Sequence, residues 1–206
     1  FNVLCTALLL PLSRQLESLV CRLVPEGKKP EAASELDERL LTTPPVALEQ
    51  CKKVAAEMAN CSVTALRQSI SVLSRYTPEL AKQIRAAEDL TDHYEDILGT
   101  YLVKLSTRRI SAADSNEAAR LLKIIGDFER IADHAVNLLQ SAEELHEKKM
   151  SLSKPAVKEL GVLTGAVDEI LGLSLDAFLK DDYSAAGMVE PLEQVIDGLK
   201  EQLRTN

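Results

Sequence analysis

The sequence has no tryptophan, and aromatic residues make up only 3% of its 206 positions. Hydrophobic residues reach 46%, so the core must be built from Leu, Ile, Val and Ala, the residues of packed helices. Gly and Pro number 8 each, and no segment shows the apolar–polar alternation of a β-strand. We therefore predict an all-α protein.

Several function classes lack the residues that they need. The formal net charge is -8, whereas a nucleic-acid-binding surface is normally basic, so we predict no nucleic-acid partner. There is no GxSxG, no Gly-rich phosphate loop and no HExxH, and no CxxC pair joins the four cysteines. Because nucleophilic catalysis has no candidate residue, we predict that the protein is not an enzyme.

The first 45 residues differ from the rest of the chain. Residues 1–24 begin with an apolar run, Phe1–Leu12, followed by basic residues. That run is shorter than the ~20 apolar residues that span a bilayer. The segment is therefore either the end of a membrane helix that begins upstream or an amphipathic helix. Residues 25–45 contain five prolines or glycines among charges and are predicted to be a linker.

From residue 46 onward the pattern predicts five long helices. We place them at Val46–Arg75, Pro78–Ser106, from Ser115 to Lys149, at Ala156–Lys180, and from Tyr183 or Ser184 to the C-terminus. Apolar residues of the third helix recur at steps of four and three: Leu121, Ile125, Phe128, Ala132, Ala135, Leu139 and Ala142. This spacing is typical of long helices packed nearly antiparallel, so we predict an antiparallel long-helix bundle.

An internal repeat divides the helical region. A shift of 105 residues places Glu88 on Glu193 and Asp92 on Asp197, so the first two helices match the fourth and fifth. Residues 46–150 then form one three-helix bundle, and 151–206 form an incomplete second one whose sixth helix is missing. The open groove of that second bundle predicts self-association as a homodimer or cover by residues 1–24.

Three pairs of acids stand four residues apart, a spacing that puts both carboxylates on one helix face. They are Glu88/Asp92, Glu129/Asp133 and Glu193/Asp197, and each follows a residue of the packing seam by one position. Facing pairs of this kind suit iron, zinc, manganese or magnesium ions. The competing interpretation is a solvated charged face, because 32 acids in the chain produce such pairs by chance.

The segment 124–144, IIGDFERIADHAVNLLQSAEE, resembles the hallmark helix of the PhoU family. Asp127, Glu129, Arg130, Asp133 and His134 match that pattern, while Phe128 and Ala132 depart from it mildly. The resemblance implies two similar three-helix bundles and metal clusters held by E/D-x-x-x-D motifs. In this sequence those motifs correspond to the three acid pairs.

The apolar start adds a narrower resemblance, to the PhoU-like tail of bacterial type II sodium/phosphate cotransporters. It implies a regulatory domain that modulates phosphate uptake at the cytoplasmic face of the inner (plasma) membrane of a bacterium. The partner would be the membrane transporter domain of the same chain. The alternative is a free PhoU-type negative regulator of a phosphate ABC transporter and its sensor kinase. A metal-dependent enzyme that uses the carboxylates is a third hypothesis.

Overall fold

Local sequence signals set the boundaries of the helices in a computed structural model, which describes residues 36–205. A short 3-10 helix, Glu38–Thr42, precedes five α-helices. These are α1 (Pro44–Val72), α2 (Pro78–Ser106), α3 (Ala112–Glu147), α4 (Lys154–Lys180) and α5 (Tyr183–Thr205). No strand occurs in this part of the chain, so the all-α prediction is confirmed. The predicted segment 1–24 lies outside the described residues, as does most of the predicted linker.

Capping side chains begin three of these helices. The hydroxyl oxygens of Thr77 and Ser153 accept hydrogen bonds from backbone N–H groups three residues later, and Pro78 occupies the first turn of α2. Helix α3 starts earlier than predicted, because Ser111 rather than Ser115 is its cap. The Ser111 hydroxyl accepts from the backbone N–H of Asp114 at 3.1 Å and donates to its carboxylate at 2.7 Å.

Helices α1, α2 and α3 pack on one another as a three-helix bundle. Its core is aliphatic and includes the fully buried Met58, Leu98 and Leu139. All seven predicted seam residues of α3 are buried. In α2 the same spacing of four and three selects eight positions, of which six are buried and Leu80 and Ala87 are half-buried; the six are Ile84, Thr91, Tyr94, Leu98, Tyr101 and Leu105. The antiparallel long-helix bundle is confirmed here.

The second unit of the repeat is a hairpin of α4 and α5, at the positions predicted for two of its three helices. Helix α4 also packs on α1, and Arg67 and Asp168 form an ion pair of 2.5 Å between them. Phe178 meets Phe128 edge-on, with ring centroids 5.1 Å apart. Leu171 is the one buried residue of α4, and Leu175 and Phe178 pack half-buried against the core of the first bundle, so one side of this helix anchors the hairpin.

Candidate functional site

Two of the predicted acid pairs face each other across the interface of α2 and α3. Small buried residues bring the two helices close at this level: Thr91 on α2, and Ala132 and Ala135 on α3, have no exposed surface. A Cβ added at Gly126 of α3 would lie 3.8 Å from the Glu95 carboxylate of α2. The carboxylates of Glu88, Asp92, Glu129 and Asp133, called the acidic cluster below, flank this contact.

The electrostatics show that the acidic cluster acts as one unit. Partial burial, followed by the charges of Asp92, Asp89 and Asp133, raises the pKa of Glu88. Burial and then Asp133 and Asp89 raise the pKa of Asp92. The charge of Asp133 on α3 therefore acts on both Glu88 and Asp92 of α2.

Glu129 completes the cluster from the α3 side. Burial raises its pKa first, and the charges of Asp133, Glu95 and Asp92 raise it further. A hydrogen bond with Asp133 acts in the same direction. Burial is the largest cause of the raised pKa values of Glu88, Asp92 and Glu129, and the charges of neighbouring carboxylates add to it, so the folded protein bears a cost for keeping these three groups ionised at neutral pH.

Nearby cations compensate the cluster poorly. Arg85 is the one base that lowers the pKa of Glu88, yet its guanidinium forms an ion pair of 2.6 Å with Glu143. Between residues 36 and 205, no Lys or Arg forms an ion pair within 4.0 Å of a cluster carboxylate. The site has an excess of negative charge that a bound cation would neutralise.

The third predicted pair does not join this site. Helix α5 packs chiefly on α4, and both Glu193 and Asp197 are exposed. Asp197 instead forms an ion pair of 2.7 Å with Lys200 one turn away. The repeat therefore copies the spacing of the acids but not the facing helix that would make them a cluster.

The acidic cluster contains suitable metal ligands, but they are not arranged as a complete coordination site. Carboxylate oxygens are the donors that Mg²⁺ and Mn²⁺ prefer, and the cluster supplies them from two helices. Within residues 36–205, however, no three His, Cys, Asp or Glu side chains converge closely enough to hold an ion. Asp92 and Asp133 are exposed, so their carboxylates can rotate toward a shared cation without disturbing the core.

Sequence reasoning missed Asp89, whose charge raises the pKa values of both Glu88 and Asp92. It follows Glu88 directly, and its distance from the packing seam gave no reason to select it. The hydrogen bond of 3.1 Å from the Tyr94 hydroxyl to Glu57 was also missed. It joins α1 to α2, and nothing in the spacing of either helix indicates it.

Comparisons with known proteins point to one family. Residues 55–142 match the family model of the PhoU domain, and this range contains all four residues of the acidic cluster. The chain is 27% identical over 157 residues to a protein of Aquifex aeolicus named "Phosphate-specific transport system accessory protein PhoU homolog". A Clostridium acetobutylicum protein of the same name is 22% identical over 158 residues. No solved structure matches the chain significantly.

Both alignments extend over most of the proteins compared. They cover 76% of this chain, together with 70% of the A. aeolicus relative and 71% of the C. acetobutylicum relative. A similar protein of Borreliella burgdorferi bears the same name and is 26% identical over 159 residues. The comparisons therefore support the PhoU domain family and do not support the narrower resemblance to a sodium/phosphate cotransporter tail.

The predicted partner, a membrane transporter domain of the same chain, is wrong. The relatives are named as accessory proteins, and this chain spans 70% and 71% of the length of the first two. Across residues 36–205, no helix combines the length and the apolar character that crossing a bilayer requires. The prediction rested on the run Phe1–Leu12, which is too short to span a bilayer and is equally compatible with an amphipathic helix.

Proposed function

We propose that this chain is a PhoU-type regulatory protein that restrains phosphate uptake by a phosphate-specific transport system. The observation that carries the proposal is the match of residues 55–142 to the PhoU domain, supported by relatives named as accessory proteins of such a system. The regulator works from the cytoplasm by helix contacts with the transporter and its sensor kinase. It carries out no reaction of its own.

The acidic cluster is the regulatory cation site in this proposal. Glu88, Asp92, Glu129 and Asp133 hold a hard cation such as Mg²⁺ or Mn²⁺ between α2 and α3, with iron and zinc as the other candidates. The raised pKa values of Glu88, Asp92 and Glu129 support this assignment: burial and then the charges of neighbouring carboxylates raise them, and a divalent ion would offset both effects. Glu193 and Asp197 are left out, since both are exposed and Asp197 forms an ion pair with Lys200.

Phosphate uptake in a bacterium that lacks its own PhoU tests the regulatory role. Expression of the wild-type chain should lower the initial rate of phosphate uptake in phosphate-rich medium. The Glu129→Gln/Asp133→Asn variant should restrain uptake less, because it removes half of the acidic cluster. An uptake rate that the wild-type chain leaves unchanged, at a verified protein level, would count against the proposal.

Metal analysis tests the cation site separately. Protein equilibrated with Mn²⁺ and passed through a desalting column should retain more metal as wild type than as Glu129→Gln/Asp133→Asn. The control is Glu193→Gln/Asp197→Asn, which removes two acids of the same spacing from α5. If all three proteins retain the same amount of Mn²⁺, any bound metal lies outside the acidic cluster. That result would contradict the cation site but not the regulatory role.

A further inference from the structure

A cavity of about 420 Å³ lies at the end of the first bundle farthest from the Ser111 cap. Its walls come from the C-terminal ends of α1 and α3 and from the first turns of α4, and the connection between α3 and α4 closes one side. The acidic cluster contributes no residue to the lining. The volume falls within the ~300–1,000 Å³ of small-molecule sites in proteins.

The lining is uncharged in a highly charged protein. Fifteen residues line the cavity, and none is Asp, Glu, Lys or Arg, although these four types make up 27% of the chain. Aliphatic side chains such as Leu73, Leu145 and Leu160 share the lining about equally with polar groups. Such a surface favours an uncharged occupant that has both apolar and polar parts, because a charged group would lose its hydration there without meeting an opposite charge.

A few polar groups provide orientation. Tyr76 and His146 stack with ring centroids 4.6 Å apart and an interplanar angle of 30°, and both line the cavity. The Thr164 hydroxyl donates within its own helix, to the Leu160 carbonyl at 2.9 Å. An uncharged cavity of this size with a stacked aromatic pair in its lining has a suitable composition for a ligand pocket.

Apolar side chains are exposed at the opening of the cavity, near the connection between α3 and α4. Met150 is 59% exposed and Val157 is 52% exposed, and both line the cavity. Lys149, just before Met150, has a left-handed backbone with φ of 51°. This conformation costs a non-glycine residue energy, and it ends α3, where the backbone N–H groups of Lys149 and Met150 donate to the carbonyls of His146 and Leu145.

We propose that this cavity binds a small, uncharged, ring-bearing molecule, which stacks near the Tyr76–His146 pair and covers the exposed Met150 and Val157. The proposal does not depend on the regulatory role or on the acidic cluster. It assigns a binding site for an uncharged ligand to the C-terminal ends of α1 and α3 and the first turns of α4.

The neutral dye N-phenyl-1-naphthylamine is the probe, because its fluorescence rises when its rings enter an apolar site. The full chain should bind the dye saturably at one site per molecule. The variant Gly161→Phe should weaken binding at least tenfold, because Gly161 lines the cavity and a Cβ there meets no atom within 4 Å. The phenyl ring then occupies the space that the dye needs.

Gly165→Phe is the matched control. Gly165 lies one turn farther along α4, and its Cβ would likewise meet no atom within 4 Å, but it does not line the cavity. Both variants replace a helical glycine and add the same apolar ring, so they share any effect on helix stability or on non-specific dye binding. Gly165→Phe should bind the dye as the wild type does.

Circular dichroism and thermal melting establish that each variant is folded, and Gly161→Leu replaces Gly161→Phe if the larger side chain prevents folding. The dye should raise the melting temperature of wild type and of Gly165→Phe, but not that of the Gly161 variant. The proposal is overturned if wild type shows no saturable binding, if the Gly161 variant binds as tightly as wild type, or if both variants lose binding equally.

Discussion

Removing two charges from the acidic cluster should stabilise the protein. The variant Glu129→Gln/Asp133→Asn keeps the shape of both side chains and abolishes the repulsion within α3 and between α3 and α2. A like-charged pair four residues apart costs a helix about 0.2–0.5 kcal/mol. The charges of α2 that act on Glu129 add to this cost, and solvent screening of the exposed Asp133 limits it.

We expect a total gain of about 0.5–1 kcal/mol in the free energy of unfolding at pH 7 and low salt. A domain of this size shifts its melting temperature by about 2–4 °C per kcal/mol, so the variant should melt about 1–4 °C higher. The assay is thermal unfolding followed by circular dichroism at 222 nm, in metal-free buffer. High salt should shrink the difference between variant and wild type, because it screens the repulsion.

The pH dependence has a definite sign. The pKa values of Glu88, Asp92 and Glu129 are higher in the folded protein than their ordinary values. The repulsion is therefore fully present above the folded pKa values and is relieved as the pH falls through them toward about 4. The advantage of the variant over the wild type should disappear over the same range.

The control variant Glu193→Gln/Asp197→Asn changes the same residue types at the same spacing on α5. Both residues are exposed, and Asp197 forms an ion pair with Lys200, so this change should not raise the melting temperature. An equal rise in both variants would trace the effect to the net charge of -8 rather than to the acidic cluster. A lower melting temperature for Glu129→Gln/Asp133→Asn would refute the reasoning outright.

Three further predictions concern the scaffold. Phe178→Ala should lower the free energy of unfolding by about 2–3 kcal/mol in urea titrations, because it removes the edge-on contact with Phe128 and part of the apolar anchor of α4; a loss below 0.5 kcal/mol would contradict that packing. Lys149→Gly should raise the free energy of unfolding by about 0.5–1 kcal/mol, because glycine adopts the φ of 51° without strain. Cys51, whose burial raises its thiol pKa to about 12, should stay unlabelled by a thiol reagent in the native protein, as peptide mass spectrometry would show.

The sequence predicts the first bundle well, because the burial of its seams depends on regular spacing. Steps of four and three identified all seven buried positions of α3 that we predicted. The start of α3 was predicted too late. Ser111 and Ser115 are both acceptable caps, and the choice depends on Asp114, which exchanges hydrogen bonds with Ser111.

The second unit shows where such prediction fails. Helix α4 has an apolar pattern as strong as those of the first bundle, yet Leu171 is its one buried residue. Val162 of α4 and Val195 of α5 are 54% and 55% exposed. Spacing identifies the apolar face of a helix, but burial also requires a neighbour, and the local sequence does not specify one.

The same argument explains the outcome for the candidate site. Glu88/Asp92, Glu129/Asp133 and Glu193/Asp197 have identical spacing and identical offsets from a seam. The first two pairs meet because α2 packs on α3, whereas α5 packs chiefly on α4. Metal binding by the cluster and homodimer formation remain predictions.

The most direct test of the account is the rate of phosphate uptake in a bacterium whose own PhoU gene is deleted, measured in phosphate-rich medium with matched expression of three proteins. The account predicts that the wild-type chain and Glu193→Gln/Asp197→Asn slow uptake to the same extent and that Glu129→Gln/Asp133→Asn slows it less. Uptake that none of the three proteins changes would contradict the regulatory role. Equal restraint by all three would contradict the role of the acidic cluster in it.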